Sequence, residues 1–342
     1  MIAINDPAGT AIKFTKAINK YTQHNCRLIT KEIRYNFMFE KDLHLPWLDG
    51  DGWDEVEDLL KNSDVFHFHM TADEYIDLGP FRPVDYIKGK IIVHHHHGHP
   101  DFRGNPEKYR QKYKKLGRKN LLVSTPDLLK LLPEARWQPN LVPIDDPLYK
   151  PMENKAEEPV IICHSPTRKD LKNTDEFVHC VNILKRECKI PIELRLIENT
   201  PHKECLCLKR ESHILFDHLQ GYFGVSSLEG LSQGLCVIAG LGEWNRRQIE
   251  EYTGIKDLPW VIANNGCLSK RLAGLIRSVE TADEIGKHSR SFMENHWNPD
   301  KLAHRLVCQI ESSVKNPKNR QTPGAEKPSH CQRWDMGPPP KQ

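Results

Sequence analysis

The stretch that most constrains this 342-residue chain runs from Ile214 to Ala239. Ile214-Leu-Phe216 is a short apolar run ending in Asp217, the pattern of a buried strand. Gln220-Gly-Tyr-Phe-Gly224 is a tight turn with two glycines. Ser226 or Ser227 then stands where a helix cap belongs, Gly234 where a helix stops, and Cys236-Val-Ile-Ala239 reads as the next strand. Strand, glycine loop, helix, strand is the repeating unit of a parallel α/β sheet. A glycine loop opening a helix offers backbone N–H groups and the positive end of a dipole, which suits a phosphate. Glu229 falls one turn into that helix, close enough to the loop for its carboxylate to accept the paired hydroxyls of a ribose.

The same alternation organises the rest of the chain. Ile2 to Ile4 reads as a strand, Asn5-Asp-Pro-Ala-Gly9 as its loop, and 10–23 as a helix with Ala11, Phe14, Ala17, Ile18 and Tyr21 on one face. Lys13, Lys16, Asn19 and Lys20 take the other face. Gly9 lies where ligands sit in open parallel sheets, beyond the carboxyl end of a strand. Strands follow at 26–30, 65–69, 90–93 and 121–123, with helices at 53–61, 106–116 and 127–132. Prolines, charges and no periodicity mark 145–158 as a boundary, giving units of 1–146 and 147–315. The second unit begins with a strand at 160–163 and a loop from His164 to Lys172. Thr174 reads as the cap of a helix whose buried stripe is Phe177, Val181 and Leu184. Strands at 192–197 and 260–263 and helices at 268–279, 281–295 and 300–314 complete it. Six prolines and almost no aliphatic residues predict a disordered tail over 316–342.

Composition excludes several classes. A hydrophobic content of 38% supports a real core, while a net charge of +3 is too weak a basic bias for a nucleic-acid partner. No run approaches the ~18 apolar residues of a membrane span. The chain opens on a strand with no charged-then-apolar leader, and its ten cysteines are scattered without a Cys-x-x-Cys. Both features fit reduced thiols and a cytoplasmic setting.

Taken in order, His164-Ser-Pro-Thr, Lys172-Asn-Thr174, Ile197-Glu-Asn199, Asp217, Gly221-Tyr-Phe-Gly224, Leu228-Glu-Gly-Leu-Ser-Gln-Gly234 and Val237-Ile238 resemble the donor half of GT-B glycosyltransferases of the family-4 type, also labelled group 1. His96-His-Gly98, Arg103 and Ser124-Thr-Pro-Asp-Leu-Leu129 resemble that family's acceptor side. The resemblance covers roughly 1–312. It implies two Rossmann-like domains whose parallel sheets face a central cleft. Its implied activity is transfer of a sugar from a nucleotide-diphosphate donor to a hydroxyl acceptor, with retention and without a metal or other cofactor. By position, Glu229 matches the ribose-binding Glu, and Arg168 and Lys172 the basic pair at the diphosphate. Gly221, Phe223, Gly224 and Val225 match the loop against donor sugar and phosphates, with Ser165 and Asn199 beside it. Gly9, His96, His97, Gly98 and Arg103 match the acceptor side, with His97, Arg168 and Lys172 as the catalytic group. One departure stands out: many members carry a Glu eight positions before the ribose Glu, where this chain has Gly221. A partner that is a glycan, a lipid-linked hydroxyl or a small molecule is implied, as is a role in cell-surface polysaccharide assembly on the inner face of a membrane.

Each of these residues also has a plainer reading. Arg168, Lys169 and Lys172 can form a solvated charge run. His94, His95, His96, His97 and His99, with Asp101, have metal-ligand chemistry, but consecutive strand residues point alternately, so at most two or three converge; no metal is expected there. His67 and His69 share a strand face and read as packing. Cys163, Cys180 and Cys236 read as core. Gly240-Leu-Gly242 lacks the third glycine of a dinucleotide fingerprint, because Asn245 stands there. Trp244 to Arg247 reads as a loop beside the donor pocket. The basic helix with Tyr109 and Tyr113 reads as a solvated face, with a membrane-surface contact as the weaker alternative. Two rival functions stay open: a binding protein without turnover, and a nucleotide-sugar epimerase.

Overall fold

The computed structural model describes residues 1–34 and 38–314, so the predicted tail lies outside the described residues. Seven short strands form the first sheet: β1 (Ile2–Ala3), β2 (Ile29–Thr30), β3 (Leu43–His44), β4 (Val65–His69), β5 (Ile91–His96), β6 (Asn120–Val123) and β7 (Arg136–Trp137). Their order is β3-β2-β1-β4-β5-β6-β7 and every pairing is parallel. Five form the second: β8 (Val160–His164), β9 (Ile192–Leu196), β10 (Ile214–Phe216), β11 (Cys236–Ala239) and β12 (Trp260–Ile262). Their order is β12-β11-β10-β8-β9, again all parallel. The expected architecture of two parallel α/β sheets is present. Helices supply the connections: α1 (Thr10–Tyr21), α2 (Gly50–Asn62), α3 (Pro100–Gly104), α4 (Pro106–Lys115), α5 (Thr174–Glu187), α6 (His202–Arg210), α7 (Val225–Ser232), α8 (Glu243–Thr253), α9 (Leu268–Arg277), α10 (Val279–His296) and α11 (Pro299–Val314).

Local chemistry explains how the key elements start. Asp6 follows β1 and accepts the N–H groups of Ala11 and Ile12, at 3.1 and 3.0 Å, so it satisfies donors that a helix start leaves open. Gly9 precedes α1 at φ +61°, and an added Cβ would lie 2.4 Å from the Phe39 ring, so the turn requires glycine twice over. The predicted serine cap of α7 is absent. Gly224 is the N-cap, and its N–H is held at 2.6 Å by Asp217, which also accepts the Ser227 hydroxyl at 2.7 Å. Thr174 does not cap α5 either. Asn173 occupies that position in left-handed geometry, and the Thr174 hydroxyl instead meets His164 Nε2 at 2.9 Å. Residues 244–247 are not a loop but the first turn of α8.

The last helix returns to the first sheet. α11 packs on α1, Arg305 donates to the Trp137 carbonyl at 3.1 Å, and Gln138 donates to the Leu302 carbonyl at 3.1 Å. The buried rings of Trp137, Phe223, Trp260, Phe292 and Trp297 meet between the two sheets. Among the described residues, no helix is long and apolar enough to cross a membrane.

Candidate functional site

Between the sheets lies a cavity of about 370 Å³. Its walls are segments that leave strands at their carboxyl ends. From the first sheet come Asn5 to Ala8 after β1, His69 and Met70 closing β4, and His97 to Pro100 after β5; from the second come Ser165 to Arg168 after β8, Ile197 to Thr200 after β9, and Tyr222 to Ser226 after β10. This is where a parallel α/β sheet places a ligand.

Most residues predicted for the donor side meet here. Ser165, Arg168, Lys172, Asn199, Phe223, Gly224, Val225 and Glu229 all line the cavity. Lys172 Nζ lies 3.2 Å from Asp217, and Arg168 pairs with Asp170 at its exposed edge. Asp217 is fully buried. Burial pushes its pKa up, but His218, Lys172 and the Gly224 and Ser227 donors outweigh that and hold it well below the usual carboxylate range. It therefore stays ionised, fixing the Gly224 turn and the lysine together. The start of α7 faces that lysine across the turn. The Ser165 and Ser226 hydroxyls are 3.0 Å apart and link the β8 and β10 loops.

Glu229 has a more crowded setting than the sequence indicated. Its Oε2 accepts from Lys209 at 2.7 Å, and its Oε1 accepts from His202 at 2.8 Å and lies 3.4 Å from Lys13 Nζ. Burial opposes its charge, but Lys209, His202 and Lys13 keep its pKa well below normal. Lys209 is only 2% exposed; burial lowers its pKa, and Cys205 and Glu229 more than reverse this. Sequence reasoning missed all three partners. Lys13 was assigned to the solvated face of α1, yet it is buried and reaches across to the second sheet. His202 and Lys209 lie on α6, seven residues apart and so on one helical face, a spacing that could have revealed them.

The residues read as an acceptor side divide between the cavity and the core. His97, Gly98 and Arg103 line the cavity. Arg103 donates to Asp127 at 2.7 Å and lies over the Tyr222 ring at 4.2 Å, so it bridges to the glycine turn of the second sheet. Gly98 has φ +78°, and an added Cβ would approach the Arg103 guanidinium to 2.9 Å. Burial lowers the His97 pKa to about 4, so its imidazole is neutral and suited to hydrogen bonding rather than to strong general base work. His96 is a correction: β5 continues through it, its side chain turns to the other face, and its Nε2 meets Tyr113 at 2.7 Å in the core. Gly9 braces the loop but is not itself a wall of the cavity. Gly221 faces a neighbouring cavity of about 930 Å³ with Trp244 and Arg247, and its carbonyl accepts from Gly242 and Asn245.

No family model and no curated protein matches the chain. Solved structures do match. Anabaena HepE, determined with UDP and glucose, is 10% identical with a TM-score of 0.62, over 91% of this chain and 99% of that one. Staphylococcus aureus TarM, determined with UDP, is 13% identical with a TM-score of 0.53, over 75% of this chain and 57% of TarM. A protein from Listeria monocytogenes described as a UDP-N-acetylglucosamine 2-epimerase is 13% identical with a TM-score of 0.52, over 95% and 99%. The chain has the GT-B fold. The cavity lies between the two sheets, with the start of α7 on one wall and the His97–Arg103 segment on the opposite one.

Proposed function

We propose that this GT-B chain transfers a sugar from a nucleotide-diphosphate donor to a hydroxyl acceptor, with retention and with no metal at the diphosphate. The observation that carries this reading is the convergence of Arg168, Lys172 and the start of α7 on one wall of the cleft, opposite His97 and Arg103. A departing nucleoside diphosphate gathers negative charge. Fixed cations and helix N–H groups placed where that charge develops stabilise it without any cofactor. Glu229 grips the ribose through the lone pairs left by Lys209, His202 and Lys13, and the weakest of those contacts, Lys13 at 3.4 Å, is the one the ribose hydroxyls displace. Closure of the cleft excludes water and so favours an acceptor hydroxyl over hydrolysis. HepE and TarM were determined with UDP, which makes UDP-sugars the first donors to try. Acceptors in this reading are glycans, lipid-linked hydroxyls or small molecules, and the basic α4 offers a surface for an anionic membrane on the cytoplasmic side.

The second reading is a binding protein without turnover. It is favoured by Gly221, whose φ of +87° would strain the Glu that many relatives carry there. A panel of UDP-, GDP-, ADP- and CMP-sugars, followed by nucleotide release with and without mixed hydroxyl acceptors, decides between the two. Acceptor-dependent release, weakened about 10- to 100-fold in Arg168→Ala by loss of a charge-assisted contact, is the expected result. Arg168 is exposed, so that variant keeps the fold. Saturable binding with no release would establish the binding protein. Interconversion of free nucleotide sugars would establish an epimerase.

A further inference from the structure

β4 and β5 are parallel neighbours in the register Phe68 opposite His94 and His69 opposite His95. Side chains alternate across a strand, so the two histidines of β4 and half of those along β5 share one face. His94 and His96 go to the other face, where they meet Glu74 at 3.3 Å and Tyr113 at 2.7 Å. His67, His69 and His95 are only 3%, 2% and 0% exposed. Among the described residues, both ring nitrogens of His67, both of His95 and Nε2 of His69 have no hydrogen-bond partner in normal geometry. Buried polar atoms are normally satisfied, and five orphans in one knot of rings require an explanation. Plain packing does not supply one, since an aliphatic or phenyl side chain would fill the same space without unpaired nitrogens.

One nitrogen from each of the three rings lies within 4.8 Å of the others. A triangle of that edge puts its centre about 2.8 Å from each nitrogen at most, against about 2.0–2.1 Å for a zinc–imidazole bond. Ring movements of under about 1 Å therefore close the gap. His69 is also oriented as ligating histidines are. Its Nδ1 is held at 2.9 Å by His97 Nε2, which leaves Nε2 as the ligating atom. His69 and His97 both line the cleft, giving an ion a way in and a water molecule the fourth position.

We propose that His67, His69 and His95 bind one divalent transition-metal ion in the floor of the cleft, on the first-sheet side. Three imidazoles suit Zn²⁺, Cu²⁺, Ni²⁺ or Fe²⁺ rather than Mg²⁺ or Ca²⁺, which favour oxygen. The site is distinct from the cations facing the donor, so it stands or falls independently of the transferase reading.

The test uses the whole chain, stripped with chelator, incubated with Zn²⁺ or Co²⁺, and desalted. Metal analysis is expected to find one ion per wild-type chain and at least tenfold weaker retention in His67→Leu and His95→Leu. The Co²⁺ form is expected to show visible bands of a low-coordinate nitrogen site. A strong thiolate charge-transfer band would instead place the ion on some of the ten cysteines and overturn the proposal. Retention unchanged in the folded variants would overturn it too. Should the variants not fold, a Zn²⁺-soaked wild-type crystal decides. An anomalous peak among the three rings supports the site, and an empty cluster at saturating Zn²⁺ refutes it.

Discussion

At the residue scale, Lys209 and Glu229 form the most consequential pair in the cleft. Both are buried, and each favours the other's charge against the cost of burial. Removing one partner of a buried pair leaves an uncompensated charge, at a cost of about 3–5 kcal/mol. Glu229 retains Lys13 and His202, so Lys209→Met is expected to fall near the low end, about 3 kcal/mol, by urea denaturation. Adding Glu229→Gln should recover part of that loss; a double variant less stable than either single one would mean that the pair is not the origin. Asp217 yields a prediction in pH. Its folded pKa lies below its unfolded value of about 3.9, so its contribution is fully present well above that value and is lost as pH falls toward the folded pKa. The stability gap between wild type and Asp217→Asn should therefore be wide at pH 7 and shrink by pH 3. A gap that does not change with pH would show that the Gly224 turn is held by something other than this charge.

At the element scale, what the sequence revealed depended on how much apolar surface each element buries. β4 and β11 fall where the apolar runs Val65–His69 and Cys236–Ala239 place them, and α5 buries the predicted Phe177, Val181 and Leu184. α6 and α8 escaped notice because each buries little that is apolar: Leu206 with Lys209 on one, Ile249 with Asn245 on the other. Their apolar stripe is too thin to show a helical period. The cavity wall with Arg168, Lys172 and the start of α7 was legible because its residues cluster on three loops with motif spacing. The partners of Glu229 were not, since Lys13 follows a strand of the other sheet and only tertiary packing brings it near. The histidine face was half legible: alternation along β5 was anticipated, but the register that sets His69 opposite His95 is a property of strand pairing. Glycines also act at this scale. A Cβ on Gly286 of α10 would lie 2.2 Å from the Gly234 carbonyl in the turn that ends α7. Gly286→Ala must push α10 off that turn. A loss of about 1–3 kcal/mol is expected, as for other overpacked sites, together with weaker donor binding if α7 shifts. Unchanged stability would mean that the two helices have slack.

At the scale of the whole molecule, the question is whether the two sheets unfold separately. Each has its own parallel core, so independent melting is the default for two such units. The contacts between them argue otherwise. Trp297 is fully buried at the end of α10, its Nε1 donates to the Asn140 carbonyl at 2.9 Å, and its ring lies 6.0 Å from Trp137 of the first sheet and 5.9 Å from Phe223 of the loop after β10. Immediately beyond it α11 crosses to pack on α1. The wild type is therefore expected to unfold in one transition, seen alike by calorimetry and by tryptophan fluorescence. Trp297→Ala opens a cavity at the junction and removes a buried acceptor's partner, a loss of about 3–5 kcal/mol. Because that loss falls on the interface rather than on either sheet's interior, the transition should split in two. On the proposed function, a nucleotide sugar bound beside Lys172 and the start of α7 should then raise only one of them. Trp297→Phe keeps most of the ring contacts and should leave a single transition at lower temperature. If Trp297→Ala also melts in one step, the coupling runs through α11 and the cleft contacts instead, and Arg305→Ala, which removes the shorter of the hydrogen bonds that Arg305 and Gln309 donate to the Trp137 carbonyl, becomes the variant expected to divide it.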